Sequence, residues 1–387
     1  MKITIVYQYF GTSNSKWSTR WYDFALEFKN LGHEVTIITS NFVRSDLPKV
    51  SFLKKKIVID GINIIILPFG DGNNFNIFSR IVRSFFFTII SSISVFFRKT
   101  DILICSSGPI SAAVPLLVPS KSYKILEVRD LWPHGAFEMK KIPNFSIIKN
   151  ILFGLEKLLY LKVNKVVTCS PAQKCYLENR YKNILNNKIM TIEHGLDNRS
   201  LDYFNNFKKQ NVINHEKFWI VSATMGFIHN PYRWLKFSKI LATLDDSITL
   251  VLIGGGPLFE EIKYLAKKDN LSNIVLTGQI SKDEMNTWLN KAEFCLFTTL
   301  NNSIQKTCAP NKIYDYLAFE VPILIDIDMW LLEKYSDFIW EVNFKDFKKN
   351  DLEFIRNKAT KISIKKLKYH KNNLLRANLA ARYLYDI

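Results

Sequence analysis

A chain of 387 residues and 45.1 kDa is too long for one ordinary domain and suits two; with 48% hydrophobic and 23% charged residues it builds full cores and is not a disordered chain. Its 53 Lys and Arg against 35 Asp and Glu give a net charge of +18, which calls for an anionic partner: nucleic acid, a membrane surface or a phosphorylated substrate. The five cysteines (Cys105, Cys169, Cys175, Cys295, Cys308) fall into no CxxC or zinc-ligand spacing, and read as small buried residues of a reducing compartment.

The opening Lys2–Tyr7 is an apolar, β-branched run that reads as a first strand and lacks the layout of a signal peptide. A helix over 18–31 follows from the spacing of Trp21, Phe24, Ala25, Phe28 and Leu31, stopped by Gly32. Strands are predicted at 34–39, 62–67, 102–105, 123–128, 165–168 and 190–193, with helices such as 146–162 between them. The polar, Asn-rich stretch 198–217 reads as a linker. The pattern then restarts, with strands at 218–223, 248–253, 274–276, 294–297 and 321–325 and helices at 232–244, 258–268, 282–291 and 311–319. A basic helix over 362–384 closes the chain. Alternation of this kind predicts α/β architecture: two doubly wound parallel sheets, whose ligands bind at the carboxyl ends of the strands and, by default, in the cleft between the domains.

Charge is uneven along this plan. Residues 1–190 carry 26 Lys and Arg against 12 Asp and Glu, residues 191–342 carry 15 against 19, and residues 343–387 carry 12 against 4. Nucleic-acid binders concentrate charge in one compact patch or arm, which this distribution does not do. One segment of the basic first half is strongly apolar. Between Arg83 and Arg98 lie 14 uncharged residues, spanning about 21 Å as a helix, short of the ~30 Å of a bilayer core. Residues 78–97 therefore read either as a buried core helix or as a helix lying in a membrane interface with Arg80, Arg83, Arg98 and Lys99 at the headgroups.

Motifs narrow the chemistry. The loop after the first strand, Phe10-Gly11-Thr12-Ser13-Asn14-Ser15, has one glycine and no GxGxxG, and no GxxxxGK[ST] occurs, which sets aside dinucleotide dehydrogenases and P-loop NTPases. Gly254-Gly255-Gly256-Pro257 stands between a strand and a helix; it serves a tight turn or lets backbone approach a phosphate. Pro310-Asn311-Lys312-Ile313-Tyr314-Asp315 opens a helix with a Lys in its first turn and an Asp one turn on. That pair is either a surface helix face or a cation for a diphosphate beside a carboxylate for ribose hydroxyls.

Together with Tyr7-Gln8-Tyr9-Phe10, Gly32-His33-Glu34-Val35-Thr36, Ser106-Ser107-Gly108-Pro109, Arg129-Asp130-Leu131-Trp132-Pro133 and Gly278-Gln279-Ile280, these motifs resemble glycosyltransferase family 4, of the GT-B fold, over nearly the whole chain. The similarity is greatest to the bacterial enzymes of O-antigen, capsule and colanic-acid-type polysaccharides. The resemblance implies two Rossmann-like domains facing a cleft: an acceptor domain over 1–200, a nucleotide-sugar domain over 201–362, and a C-terminal helix over 363–387 that packs back on the first.

It further implies a retaining transfer from a UDP- or GDP-type donor to an undecaprenyl-diphosphate-linked saccharide on the inner face of the cytoplasmic membrane. No metal or other cofactor and no nucleic acid are expected; the anionic membrane surface is the further partner. The donor-binding residues implied are Gly226, His229, Arg233, Gly254, Gly255, Gly256, Gln279, Ile280, Thr307, Pro310, Asn311, Tyr314 and Asp315. Thr307 and Asp315 stand where the family has two glutamates, so only the second position keeps a carboxylate. His229 and Arg233, with Lys312, take the place of the family's basic residue as partners of the leaving diphosphate. Asp130, His134 and Lys312 are the catalytic candidates, Asp130 to contact or deprotonate the acceptor hydroxyl. Ser13, Arg20 and Glu138 are assigned to the acceptor side. Two other functions fit the same motifs: a nucleotide-sugar 2-epimerase, and a non-catalytic membrane-docked scaffold of a polysaccharide assembly complex.

Overall fold

The computed structural model describes residues 1–15, 19–42, 45–50, 54–70, 77–139, 145–210 and 217–385; Lys16, Ser18 and residues 211–216 of the expected linker lie outside them. The chain divides into two compact units. The first comprises Met1–Gly195, Thr307–Ala309 and Arg376–Ile387; the second comprises Leu196–Lys306 and Pro310–Leu375.

The first unit holds an eight-stranded sheet. In chain order its strands are β1 (Lys2–Val6), β2 (Glu34–Ser40), β3 (Lys55–Ile59), β4 (Ile62–Leu67), β5 (Ile102–Ser107), β6 (Tyr123–Val128), β7 (Lys165–Thr168) and β8 (Ile189–Thr191). Their spatial order is β3-β4-β2-β1-β5-β6-β7-β8. All pairs are parallel except β3–β4, a hairpin turned by Asp60 (φ 51°) and Gly61 (φ 78°). The sequence reading missed β3, whose start is masked by the charge of Lys54, Lys55 and Lys56. The helices are α1 (Arg20–Asn30), α2 (Ile77–Phe96), α3 (His134–Glu138), α4 (Ser146–Lys162) and α5 (Pro171–Leu185), with a 3-10 segment at Ile110–Leu117. Gly32, at φ 84°, ends α1 as expected, donating its amide to the Lys29 carbonyl at 2.9 Å while His33 donates to that of Phe28 at 3.1 Å.

The second unit opens with α6 (Asn198–Gln210), so most of the expected linker is a helix. Phe204 at its centre is buried and packs edge-on against Phe319, which gives this Asn-rich stretch an apolar anchor. Next come β9 (Phe218–Ser222), α7 (Tyr232–Leu244), β10 (Thr249–Ile253), α8 (Phe259–Lys268), β11 (Ile274–Gly278), α9 (Lys282–Asn290) and β12 (Ala292–Phe297). They are followed by α10 (Ser303–Thr307), α11 (Asn311–Ala318), β13 (Ile323–Ile325), α12 (Trp330–Lys334), β14 (Ile339–Glu341), α13 (Lys349–Ala359) and α14 (Ile364–Leu374). The six strands are all parallel, in the order β11-β10-β9-β12-β13-β14. Their core is aromatic, with Trp219, Trp234, Phe237, Phe294, Phe344 and Phe347 buried together.

The basic tail is two helices and not one. After α14 the chain re-enters the first unit as α15 (Arg376–Tyr383). Only α15 carries out the expected return, so the charge assignment changes. The first unit holds 28 Lys and Arg against 14 Asp and Glu, and the second 25 against 21. Much of the tail's cationic excess therefore sits in the second unit, where Lys371 reaches Glu320 at 2.9 Å and Lys366 reaches Asp337 at 2.9 Å.

α15 is held by buried charge. The Arg20 guanidinium, fully buried, pairs with Glu127 at the end of β6 and donates to the Ile192 carbonyl (3.0 Å), the Glu193 carbonyl (3.3 Å) and the Tyr383 hydroxyl (3.1 Å). Trp21 Nε1 donates to the other Glu127 oxygen at 2.9 Å. Arg376 pairs with Asp23 and donates to Thr19 Oγ1 at 2.8 Å. Arg20 is thus a keystone of the core, not an acceptor-side residue. Removing one member of a buried pair strands the other's charge, so Arg20→Ala should lower the unfolding free energy by about 3–5 kcal/mol. Tyr383→Phe, which deletes one hydroxyl, should cost about 1 kcal/mol. Urea unfolding of both variants checks this ranking.

Candidate active site

In the second unit β9 is the first strand, with β10 on one side of it and β12 on the other. The chain reverses its direction of winding there, and the loops that leave the carboxyl ends of β9, β10, β11 and β12 frame a crevice of the kind that binds ligands in open α/β sheets. Twelve of the expected donor and catalytic residues come from these four loops and from the start of α7 and α11: Gly226, His229, Arg233, Gly254, Gly255, Gly256, Gln279, Ile280, Pro310, Asn311, Lys312 and Asp315.

The three glycines divide into two roles. A Cβ on Gly254 would lie 2.0 Å from the Ala223 carbonyl oxygen, and one on Gly256 would lie 2.5 Å from that of Met225. Both sites need glycine because the loop after β9 presses on them. A Cβ on Gly255 would meet nothing closer than Gln279 Cβ at 3.7 Å. The Gly254 amide donates to the Gly278 carbonyl at 2.8 Å. Among the described residues no protein acceptor stands for the amides of Gly255 and Gly256. Two amides that open towards solvent just before α8 suit a phosphate.

The cations sort differently from the sequence expectation. Lys312, half-buried in the first turn of α11, forms no hydrogen bond or ion pair among the described residues. Burial lowers its pKa to about 8, with Asp315 pulling the other way. Arg233 is already spent: it is paired with Asp326 and bonded to Thr298 Oγ1. His229 is not a cation at neutral pH, since burial and the neighbouring Lys312 lower its pKa to about 4. Its Nδ1 lies 3.0 Å from the Thr298 carbonyl, so that nitrogen donates and Nε2 is left as an acceptor. Lys312 is thus the mobile charge of the trio. Asp315 is held by a residue that sequence reasoning missed: Lys282, at the start of α9, stands 2.6 Å from Asp315 Oδ1. The two lie 33 residues apart, and no spacing rule connects them. Asn311 Oδ1 is buried without a partner among the described residues, whereas Tyr314 is a core ring beneath the helix and not a surface contact. Gln279 is exposed and Ile280 half-buried just after β11.

The remaining candidates lie in the first unit. Thr307 is one of them: it is buried, and its carbonyl accepts from the Ser170 hydroxyl at 2.5 Å. Asp130 is exposed directly after β6, and Glu138 is exposed at the end of α3. Ser13 sits half-buried in a turn whose neighbour Thr12 donates its amide to Asp46 at 2.9 Å. His134 departs from expectation. Its ring is buried, with Nε2 3.0–3.1 Å from both Glu156 oxygens and Nδ1 3.0 Å from the Tyr176 hydroxyl. Glu156 also accepts from Tyr160 (3.0 Å) and Tyr181 (2.5 Å). Both ring nitrogens are occupied, so His134 anchors the Asp130 loop to α4 and α5. Of the cysteines, Cys105, Cys169 and Cys295 are buried as expected and Cys175 is exposed.

Two predictions follow from the donor-end geometry. Gly254→Ala should destabilise the protein by about 2 kcal/mol or more, while Gly255→Ala should stay within about 0.5 kcal/mol and weaken nucleoside diphosphate binding; thermal unfolding and calorimetry separate the two. Lys312 loses its proton in the free protein near pH 8, so diphosphate affinity should fall about tenfold between pH 7 and pH 9. Lys312→Arg should abolish that dependence.

Comparison with known proteins relates one segment of the chain and the fold to glycosyltransferases. Residues 232–326, from the start of α7 to Asp326, match the family described as Glycosyl transferases group 1. No curated protein matches the sequence. Sucrose-phosphate synthase from Thermosynechococcus elongatus aligns with a TM-score of 0.69 at 12% identity, over 99% of this chain and 97% of that one. HepE of Anabaena, solved in complex with UDP, aligns at 0.64 and 10% identity over 99% and 98% of the two chains. WaaG, a glycosyltransferase involved in lipopolysaccharide biosynthesis, aligns at 0.58 and 12% over 100% and 96%. The chain thus carries a group 1 glycosyl transferase segment in its second unit, on the GT-B fold of these glycosyltransferases.

Proposed function

We propose that the protein is a glycosyltransferase that moves a hexose or N-acetylamino sugar from a UDP- or GDP-type donor to an undecaprenyl-diphosphate-linked saccharide, with retention of anomeric configuration, in the assembly of an O-antigen- or capsule-type surface polysaccharide. The observation that carries the donor half is the trio at the carboxyl end of the second sheet: the unoccupied amides of Gly255 and Gly256 and the unpaired ammonium of Lys312. Transfer breaks the bond from the anomeric carbon to the diphosphate and forms one to the acceptor oxygen. The departing diphosphate gains charge, which those three groups meet. Asp315, oriented by Lys282, takes ribose hydroxyls. Asp130 takes the acceptor hydroxyl and its proton, on a loop steadied by His134.

The acceptor half is supported by charge. An undecaprenyl-diphosphate is anionic and membrane-bound, and the first unit carries twice as many cationic as acidic residues. That balance suits work at the inner face of the cytoplasmic membrane. HepE was solved with UDP, and WaaG acts in lipopolysaccharide biosynthesis, both in keeping with this reading.

The test is transfer of labelled sugar from a panel of UDP- and GDP-sugars into solvent-extractable lipid of a membrane fraction. Asp130→Asn and Lys312→Gln should each reduce transfer by about 100-fold or more while the unfolding transition is unchanged. Full activity in both variants, or donor turnover with no acceptor present, would contradict the assignment.

A further inference from the structure

Unsatisfied apolar surface in this chain is concentrated. Of the 22 large hydrophobic side chains that are exposed among the described residues, 13 fall within residues 81–97 and 145–161, on or beside α2 and α4. On α2 the exposed large hydrophobic residues are Ile81, Phe85, Phe86, Ile89, Ile93 and Phe96, and all but Phe86 follow i, i+4 and i, i+3 steps along one side. On α4 they are Ile147, Ile148, Ile151, Leu158 and Leu161; with Gly154, Ile147, Ile151, Leu158 and Leu161 follow alternating i, i+4 and i, i+3 steps. Ile147 is 72% exposed and Phe97, just past α2, is 82% exposed. A monomer scatters such residues singly; two long stripes mark a surface made to be covered.

The two helices share a support. Both pack against the 3-10 segment Ile110–Leu117, and Thr88 Oγ1 of α2 donates to its Ser111 carbonyl at 3.0 Å. The outward stripes therefore flank that segment on one side of the first unit. Charge around them has one sign. α2 contributes Arg80 and Arg83 and no carboxylate; α4 contributes Lys149, Lys157 and Lys162. The single carboxylate in either helix, Glu156, is buried against His134, Tyr160 and Tyr181.

We infer that α2 and α4 form one docking surface for an anionic lipid bilayer, lying in its interface with the aromatic and aliphatic stripes inserted and the cations at the phosphates. This deepens the membrane location proposed above and adds α4, which the sequence did not single out. α2 is 20 residues long, and its segment Ser79–Phe96 is long and apolar enough to cross a bilayer by length and composition, so the length argument against spanning falls. Its inner side argues for lying flat. Phe87, Ser91 and Val95 are buried in the unit, and Arg83 Nη1 is bonded to the Gly70 carbonyl at 2.7 Å. Spanning would tear out those contacts.

The test is flotation of the full chain with vesicles of phosphatidylcholine and phosphatidylglycerol at 70:30, against phosphatidylcholine alone. Binding should be more than tenfold weaker without the anionic lipid, should weaken at 0.5 M salt, and should be released by alkaline carbonate. The triple variant I147S/I151S/L158S and the α2 variant F85S/I89S should each reduce binding at least tenfold. The single change Ile151→Gln should reduce it measurably while leaving the unfolding transition in place. Donor binding by calorimetry should be unchanged in all of them, which separates failure of the docking surface from failure of the glycosyltransferase reading. Wild-type binding by the α4 variants, equal binding to neutral vesicles, resistance to carbonate, or a lipid-free dimer that the α4 variants dissociate would each overturn the inference.

Discussion

The first unit depends on a charge buried where water cannot reach it. Arg20 and Glu127 neutralise each other in the centre of the domain, and Nη2 of the guanidinium donates to the carbonyls of residues 192 and 193 and to Tyr383, leaving Nε buried without a partner among the described residues. A buried pair needs further hydrogen bonds to offset its desolvation, and here they draw on four separate parts of the chain. α1, the end of β6, the strand exit after β8 and α15 are thereby pinned to one point. Because β6 ends at Val128, the pair also fixes the exit of the loop that carries Asp130. The aromatic rings of Trp21, Phe24 and Phe28 around Tyr383 shield the pair and bind α15 to α1. Returning the last helix to the first unit is thus a requirement of that unit's own electrostatics.

The second unit works by a different constraint, the closeness of two loops. The loop after β9 comes so near the loop after β10 that only glycine is tolerated at positions 254 and 256, and Met225 seals the contact by donating its amide to the Gly255 carbonyl at 3.1 Å. What this closeness achieves is rigidity in a backbone that then offers two amides outward. The charged groups nearby are arranged so that one cation stays uncommitted. Arg233 is tied to Asp326 and Lys282 to Asp315, whereas Lys312 is left with a depressed pKa and no partner. A diphosphate arriving there would raise that pKa again, so binding and protonation reinforce each other.

Much of the architecture could be read from residues alone, because parallel strands buried on both faces are continuous apolar runs and the first flanking helix ends at Gly32. The strands at 62–67, 123–128 and 165–168 have the same bounds in the structure as in the sequence reading. β3 escaped notice because lysines open it, and α6 because its asparagines hide the apolar side anchored by Phe204. The donor motifs were legible as short segments with unusual composition. Their division of labour was not, since it depends on contacts between distant residues: Lys282 with Asp315, Arg233 with Asp326, His134 with Glu156. The same holds for α4, whose sequence is compatible with a buried helix and whose outward stripe becomes visible only once its neighbours are in place.

Where a nucleoside diphosphate sits decides whether these groups form the donor site. A crystal structure of the protein soaked with UDP, and separately with GDP, tests it most directly. For one of them the diphosphate oxygens should lie within hydrogen-bond distance of the Gly255 or Gly256 amide and of Lys312 Nζ, with the ribose at Asp315. A diphosphate bound elsewhere in the second unit, or held in the first unit away from these groups, would contradict it.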